Sequence, residues 1–362
     1  MPTIGPMPAP LVPFVKLKDP STYRACRWDM RSDHEAREYW IAFFKKHVLT
    51  ILDLGFRMAV DRGQPTAPVR ERMDACVADF HTFFDAVNAD PARYPSPDGG
   101  PVTILTLDVW RDGLLRKHGF VDPFEDLKQR ENEGVIALLP KVCRQHDALK
   151  ETELFRAVIE GVFAGNIFDM GAAGSAQLLL DGKLDFFETR KKLPARPWLV
   201  DGFDAFAAKA ERGWKRAVFF VDNAGSDFVL GALPMMRYLA KRGTSVVLAA
   251  NERPTLNDMT VHDVRAWWPR LMETEPSLAD LPIHIVSTGT GEPLIDLMGV
   301  SPELNEAAAD ADLVIMEGMG RGIESNLDAE FSCDAANLAM IKDYMVAKRL
   351  NGKLYDVVCR FR

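Results

Sequence analysis

Cysteine is sparse and scattered. Cys26, Cys76, Cys143, Cys333 and Cys359 are odd in number and form no CxxC pair, so neither a zinc site nor a disulfide framework is indicated. The seven histidines show no HxH or HExxH spacing, which disfavours zinc further. No apolar run reaches the length of a membrane span or a signal peptide. The stretch Pro2 to Pro13 is broken by five prolines, has no basic segment before it, and reads as an extended surface tail. Basic charge is in deficit: 44 Lys+Arg against 52 Asp+Glu gives a net charge of −8, which argues against a nucleic-acid binder. An anionic substrate stays open, because a metal ion or a few local cations can reverse the sign of a pocket. No glycine string has P-loop or GxGxxG spacing. What remains is an ordinary globular composition, 47% hydrophobic and 27% charged over 362 residues, a length that calls for two packed regions. A cytoplasmic protein with reduced cysteines and no membrane partner is expected, and nothing in the sequence fixes the oligomeric state.

The pattern divides the chain into a tail (1–20), a helical region (21–165) and an α/β region (166–362). In the helical region Trp40, Phe43, Phe44, Val48, Ile51 and Leu52 recur at three- and four-residue spacing, as does the series Val69, Met73, Cys76, Phe80, Phe83 and Val87. Pro91 to Pro101 is a loop by its proline and glycine content. Further helices are expected around Leu105–Lys117, Glu131–Cys143 and Thr152–Phe163. Beyond residue 166, short β-rich runs (Ala217–Val221, Ser245–Ala249, Ile283–Ser287, Leu313–Met316, Lys353–Cys359) alternate with helical stretches (Phe228–Arg242, Val261–Met272, Asp334–Leu350). That alternation predicts a doubly wound, mostly parallel sheet, and near-continuous apolar strands such as VVLAA fit burial on both faces.

Ligands of such sheets bind outside the carboxyl ends of the strands. The residues there are Asp222-Asn223-Ala224-Gly225, then Asn251-Glu252 with Asn257-Asp258 close behind, then Ser287-Thr288-Gly289-Thr290-Gly291, then Glu317-Gly318-Met319-Gly320-Arg321. Singly, each is explained by helix capping or a glycine turn. Together they place oxygen donors on one edge. Asp222, Asn223 and Asp258 suit a hard divalent cation, with positions left for water and a substrate oxygen. Ser287, Thr288 and Gly289, with the glycines after Glu317, offer hydroxyls and backbone N–H groups to a phosphate. At the junction of the two regions lies AGNIFDMGA, in which Asn166 and Asp169 are candidates for the substrate wall. The competing reading makes Gly165 a helix stop. Lys342, within the expected helix Asp334–Leu350, is a further candidate, though a solvated lysine is the commoner outcome.

The strings FVDNAGSDFVLGALP, LAANERPTLNDMT, STGTGEPLIDL and IMEGMGRGIESN together resemble the damage-control phosphatases, metal-dependent enzymes with a helical N-terminal domain on an α/β domain. YRACRWDMRSDHEAREYW, DPFEDLKQRENE, AGNIFDMGA and RPWLVD extend the resemblance over nearly the whole chain, and EGMGR points to the branch that some relatives carry behind a pantothenate kinase-like domain. The resemblance implies a phosphohydrolase using Co²⁺, Ni²⁺, Mn²⁺ or Mg²⁺ held by Asp222, Asn223 and Asp258. It implies a small phosphorylated metabolite as partner, for this branch 4′-phosphopantetheine or its oxidised or otherwise damaged forms. Relatives usually have serine where this chain has Ala224. No kinase-like stretch precedes residue 1 in this sequence, and regulation through such a fusion is not assumed.

In the expected mechanism, metal coordination lowers the pKa of an attacking water, with Asp258 orienting it. Glu317 is a candidate base or support, and Arg321 a bidentate partner of the phosphate. Attack by Asp222 itself, forming an aspartyl-phosphate, is the alternative. Rival readings are a broad sugar-phosphate phosphatase, an adenosyl-cofactor-dependent methyltransferase and an inert metabolite-binding module.

Overall fold

The structure, a computed structural model, describes residues 10–96, 99–167 and 186–362. Helices come first, where the three- and four-residue spacing places them. Asp33 caps α1 (His34–Asp61) by accepting from the Ala36 N–H, and the helix buries Trp40, Phe44, Val48 and Ile51 along one stripe. It packs on α2 (Thr66–Ala89), where Phe80 and Phe84 stack with ring centroids 4.4 Å apart. A capping box between Thr103 and Thr106 starts α3 (Ile104–Lys117). The single helix expected over Glu131–Cys143 is two, α4 (Glu125–Ile136) and α5 (Leu139–Asp147), because Pro140 is accommodated only in the first turn of a new helix. The next helix, α6 (Glu151–Ile167), runs through Gly165 rather than stopping there. Its glycine is needed for contact: a Cβ would lie 2.8 Å from the Ser226 carbonyl oxygen.

The second half supplies α7 (Phe186–Lys191), β1 (Val200–Asp201), α8 (Phe203–Ala210), β2 (Arg216–Phe220), α9 (Leu233–Lys241), β3 (Ser245–Ala250), α10 (Val261–Thr274), β4 (Ile283–Ser287), α11 (Pro302–Ala308), β5 (Leu313–Glu317), β6 (Asp334–Met340), α12 (Tyr344–Arg349) and β7 (Val357–Phe361). Two π-helical turns, Asp227–Ala232 leading into α9 and Gly320–Ser325 after β5, lie at the strand ends. Among the described residues the sheet has seven strands in the order β1-β7-β6-β5-β2-β3-β4. The run from β6 to β4 is parallel, and β7 is antiparallel to β6. The chain moves outward from β2 through β3 to β4, then returns to the other side of β2 with β5. The crevice between β2 and β5 is therefore the switch point at which doubly wound sheets bind ligands.

Asp334–Leu350, expected as one helix, is instead β6, a loop and α12. Alanine, leucine and methionine favour helix in isolation, but DAANLAM sits between β5 and β7 with both faces covered, and burial overrides propensity.

Three apolar clusters hold the molecule. One lies between the sheet and helices α5, α6, α9 and α10, so Val135 to Ala164 pack with the α/β elements. A second joins α1, α2 and α3 to Leu294, Ile323, Ala339 and Ile341 at the strand ends. The third forms on the opposite sheet face, where α11 and a strap of residues 10–23 cover Val218, Phe220 and Val247. Within the stretch expected as a surface tail, Phe14 and Leu17 are core residues. Phe14 meets Phe220 edge to face at 5.6 Å, and the strap is fixed by bridges Val12–Val300 and Leu17–Phe331. No helix among the described residues is long and apolar enough to cross a membrane.

Candidate active site

Two loops are zipped together at the switch point. Asn223, after β2, forms an antiparallel bridge with Asp258, after β3. Around it, Met259 N donates to Asp222 O and Ala224 N to Asn257 O, both at 2.9 Å. Asp222, Asn223 and Asp258, separated by 36 residues of sequence at most, thus line one cleft.

Their electrostatics are set from behind. Arg321, on the π-helical turn after β5 and 1% exposed, donates to Asp222, to Asp258 at 2.6 Å and to the Pro293 carbonyl at 3.2 Å. Asn223 Nδ2 donates to Asp222 at 2.7 Å and to Asp227 at 3.0 Å. Its amide oxygen is thus the atom it can present to a cation. Asp227 also accepts from Asn166 Nδ2 at 2.8 Å. Asn251 Nδ2 donates to Asp258 at 3.1 Å. Beneath them Glu317 accepts from the Asp222 N–H at 3.3 Å. Burial, then the nearby Asp227 and Asp222 carboxylates, pushes Glu317 well above the usual range.

From the helical half, Asn132 on α4 ties the two loops. Its Oδ1 accepts from Gly225 N at 2.7 Å, and its Nδ2 reaches Met259 Sδ at 3.7 Å. On α3, buried Arg111 donates to Asp108 at 2.5 Å, to Asp112 at 2.8 Å and to Thr255 Oγ1 at 3.0 Å. Thr255 O in turn accepts from Asp258 N. Burial outweighs Arg111 at Asp108 and raises its carboxyl to about 7. The cleft, about 290 Å³, is walled on the helical side by Trp40, Phe43, Phe44 and His47 of α1 and by Ile104, Asp108 and Arg111 of α3. Strand-end loops complete it with Leu256, Leu294, Met319, Glu324, Lys342 and Asp343.

The other residues singled out from the sequence fall as follows. Lys342 lies in the loop after β6, not within a helix, and lines the cleft. Asn166 reaches Asn223 through Asp227 and does not line it. Asp169 is outside the described residues. Arg321, expected at the phosphate, directs its guanidinium to the two aspartates. Ser287, Thr288 and Gly289 make a turn of their own: Ser287 Oγ donates to Glu252 at 2.5 Å, Gly289 N donates to Ser287 Oγ at 3.0 Å, and Thr288 pairs with Thr290 at 3.2 Å. They are not among the cleft-lining residues. Apart from Trp40, which ends the string YRACRWDMRSDHEAREYW, the α1 and α3 walls carry no motif that reveals them, because their residues read as core periodicity or surface charge.

Gly318 follows β5 at φ +87, and a Cβ there would collide with the Asp222 carboxylate. Gly318→Ala must displace Asp222, and a displacement of about 1 Å at a reacting centre reduces turnover roughly 10²-fold. The measurement is kcat at saturating metal. An unchanged rate would mean that the position of Asp222 is not critical.

Residues 62–358 match the model of the damage-control phosphatase ARMT1-like domain. A damage-control phosphatase of Arabidopsis thaliana is 37% identical over 97% of both chains. A pantothenate kinase 2 of the same plant is 36% identical over 96% of this chain, which spans 41% of that protein. A mouse 4′-phosphopantetheine phosphatase is 29% identical over 97% of this chain and 48% of its own length. The crystal structure of a DUF89-family protein of Pyrococcus horikoshii shares the fold, with TM-score 0.61 and 19% identity over 88% of this chain and 96% of that one. With the family model matched over most of its length, this chain belongs to the ARMT1-like damage-control phosphatase family.

Proposed function

We propose that the chain hydrolyses a phosphate monoester with a divalent metal held by Asp222, Asn223 and Asp258, and that its substrate is 4′-phosphopantetheine or a damaged form of it. The observation that carries the metal reading is the charge at the switch point. Asp222 and Asp258 both pair with buried Arg321, which stands behind the cleft, and the Asp227 carboxylate lies beside them on Asn223. Among the described residues no three His, Cys, Asp or Glu side chains form a metal-holding group by themselves. The donor set is two carboxylates and an amide oxygen, which fits a hard cation completed by water and substrate oxygens.

When bound, the cation supplies Lewis-acid stabilisation of the phosphoryl group and a water acidic enough to attack at neutral pH. The chain's own groups do the rest. Arg321 aims Asp222 and Asp258 and gives them a counter-charge, the Asn166–Asp227–Asn223 chain fixes the amide, and Lys342 stands in the cleft where a phosphate dianion would enter. Asp222 is committed to Arg321 and Asn223, which favours attack by water over an aspartyl-phosphate.

The apolar share of the wall favours a substrate with an arm. Trp40, Phe43, Leu256 and Met319 suit an extended amide-and-methylene chain better than the hydroxyls of a sugar. The test is a metal-by-substrate screen. Chelation should abolish phosphate release, with Co²⁺, Ni²⁺ or Mn²⁺ restoring it, and kcat/KM for 4′-phosphopantetheine should exceed that for sugar phosphates. Full activity in demetallated protein would overturn the metal reading. A preference for sugar phosphates would overturn the substrate alone.

A further inference from the structure

Besides the proposed metal ligands, the cleft is lined by three acidic side chains: Asp108 on α3, Glu324 on the π-helical turn after β5, and Asp343 at the start of α12. Two of them are committed within the protein. Asp108 accepts from Arg111 at 2.5 Å. Asp343 caps α12 with one oxygen, accepting from Met345 N at 2.7 Å and Val346 N at 3.1 Å, and its other oxygen accepts from the Tyr39 hydroxyl at 2.7 Å. The part-buried Glu324 carboxyl group has neither a hydrogen bond nor an ion pair among the described residues.

Its neighbours place this group on the cleft side of the turn. Burial, then Asp108 and Asp343, raise it well above the ordinary carboxylate range, with Lys342 opposing the rise and Asp222 adding to it. All four of these charged residues line the same cleft. On the other side of the turn Arg24, Arg27 and Arg349 line a smaller pocket, but they are held elsewhere. Arg24 and Arg27 donate to the Tyr23 and Thr22 carbonyls, and Arg349 lies over the Trp28 ring. A polar group withdrawn from water is normally matched by a donor, and here the donor has to come from what enters the cleft. It is not the phosphate. An acidic wall repels a dianion, so the neutral organic part of an ester is what faces Glu324.

We propose that Glu324 determines specificity by accepting a hydrogen bond from an amide N–H or a hydroxyl on the organic arm of the substrate. The proposal rests on the phosphatase reading and adds a polar selector to a wall that is apolar at Phe43, Leu256 and Met319. Protonated or ionised, the group keeps an acceptor oxygen, so its role does not depend on its charge state. An arm without a donor leaves that oxygen desolvated and unpaired. A polar site rejects an analogue lacking the matching group for this reason.

The test compares 4′-phosphopantetheine, whose arm carries hydroxyl and amide donors, with n-butyl phosphate, whose arm carries none. Metal-activated wild type, Glu324→Gln and Glu324→Leu are assayed for kcat/KM with both esters. Wild type is expected to prefer 4′-phosphopantetheine. The ratio of the two kcat/KM values should fall at least about tenfold in Glu324→Leu, the scale of one hydrogen bond to a charged group. Glu324→Gln keeps the shape and an acceptor oxygen and should retain more of the preference. A merely structural role lowers both kcat/KM values together, and an unchanged ratio in Glu324→Leu would overturn the proposal. So would a wild type without the preference. If circular dichroism shows Glu324→Leu unfolded, the ratio in Glu324→Gln decides: a fall of about threefold or more is expected, and no fall overturns the proposal. Absence of phosphate release from both esters with every metal would overturn the phosphatase reading, and this proposal with it.

Discussion

Asp258→Asn is expected to lower metal-activated phosphate release by a factor of roughly 10³ or more, the scale of losing a principal electrostatic group. The substitution preserves shape and removes charge. Asp258 is buried, bridges backbone to backbone with Asn223, and receives hydrogen bonds from Arg321 and Asn251. Its amide counterpart neither balances the guanidinium nor holds a hard cation as tightly. Elemental analysis should show the metal content falling with the rate, while circular dichroism keeps the wild-type helix content. Asp222→Ala should behave alike. Wild-type turnover with full metal content in either variant would make the ligand assignment wrong.

The second large effect is on stability. Arg321→Met leaves Asp222 and Asp258 facing each other without their buried cation, a loss of about 3–5 kcal/mol by the usual penalty for breaking a buried ion pair. Denaturant unfolding of chelator-treated protein measures it. Because a divalent cation at the cleft side offsets the same two charges, added metal should raise the unfolding midpoint more in Arg321→Met than in wild type. A loss below about 1 kcal/mol, the scale of an exposed pair, would mean that Arg321 is not the counter-charge.

Much of this arrangement is legible in the residues themselves. Asp222, Asn223 and Asp258 stand out because they follow apolar runs, and a parallel sheet gathers such ends at one edge. Ser287-Thr288-Gly289 satisfies the same criterion yet closes on Glu252 and Thr290, because β4 is the outer strand of the order, two removed from the β2–β5 crevice. Strand position, not strand-end chemistry, separates the two cases, and order is not written locally. Asp334–Leu350 reads as helix because its period is ambiguous and its residues favour helix, while the neighbours that bury it are distant in sequence. The walls from α1 and α3 are hidden for a related reason. Phe43 repeats with the core spacing but is 41% exposed, and the side of α1 that it occupies is fixed only by docking.

The strap of residues 10–23 has a consequence for how the molecule fails. Its ties join partners far apart in the chain: the Val15 N–H meets Asn305 across 290 residues. Such a segment can settle only on a finished sheet face, after its loop-closure entropy has been met by contacts elsewhere. Being short and superficial, it also belongs to the parts that detach first under mild heating or proteolysis. Each detachment opens the part of this sheet face that α11 does not cover, beginning at Phe220, against which Phe14 packs. Self-association would then begin from that face while the edge that carries the candidate active site is still intact, so solubility would be lost before activity in the remaining monomer.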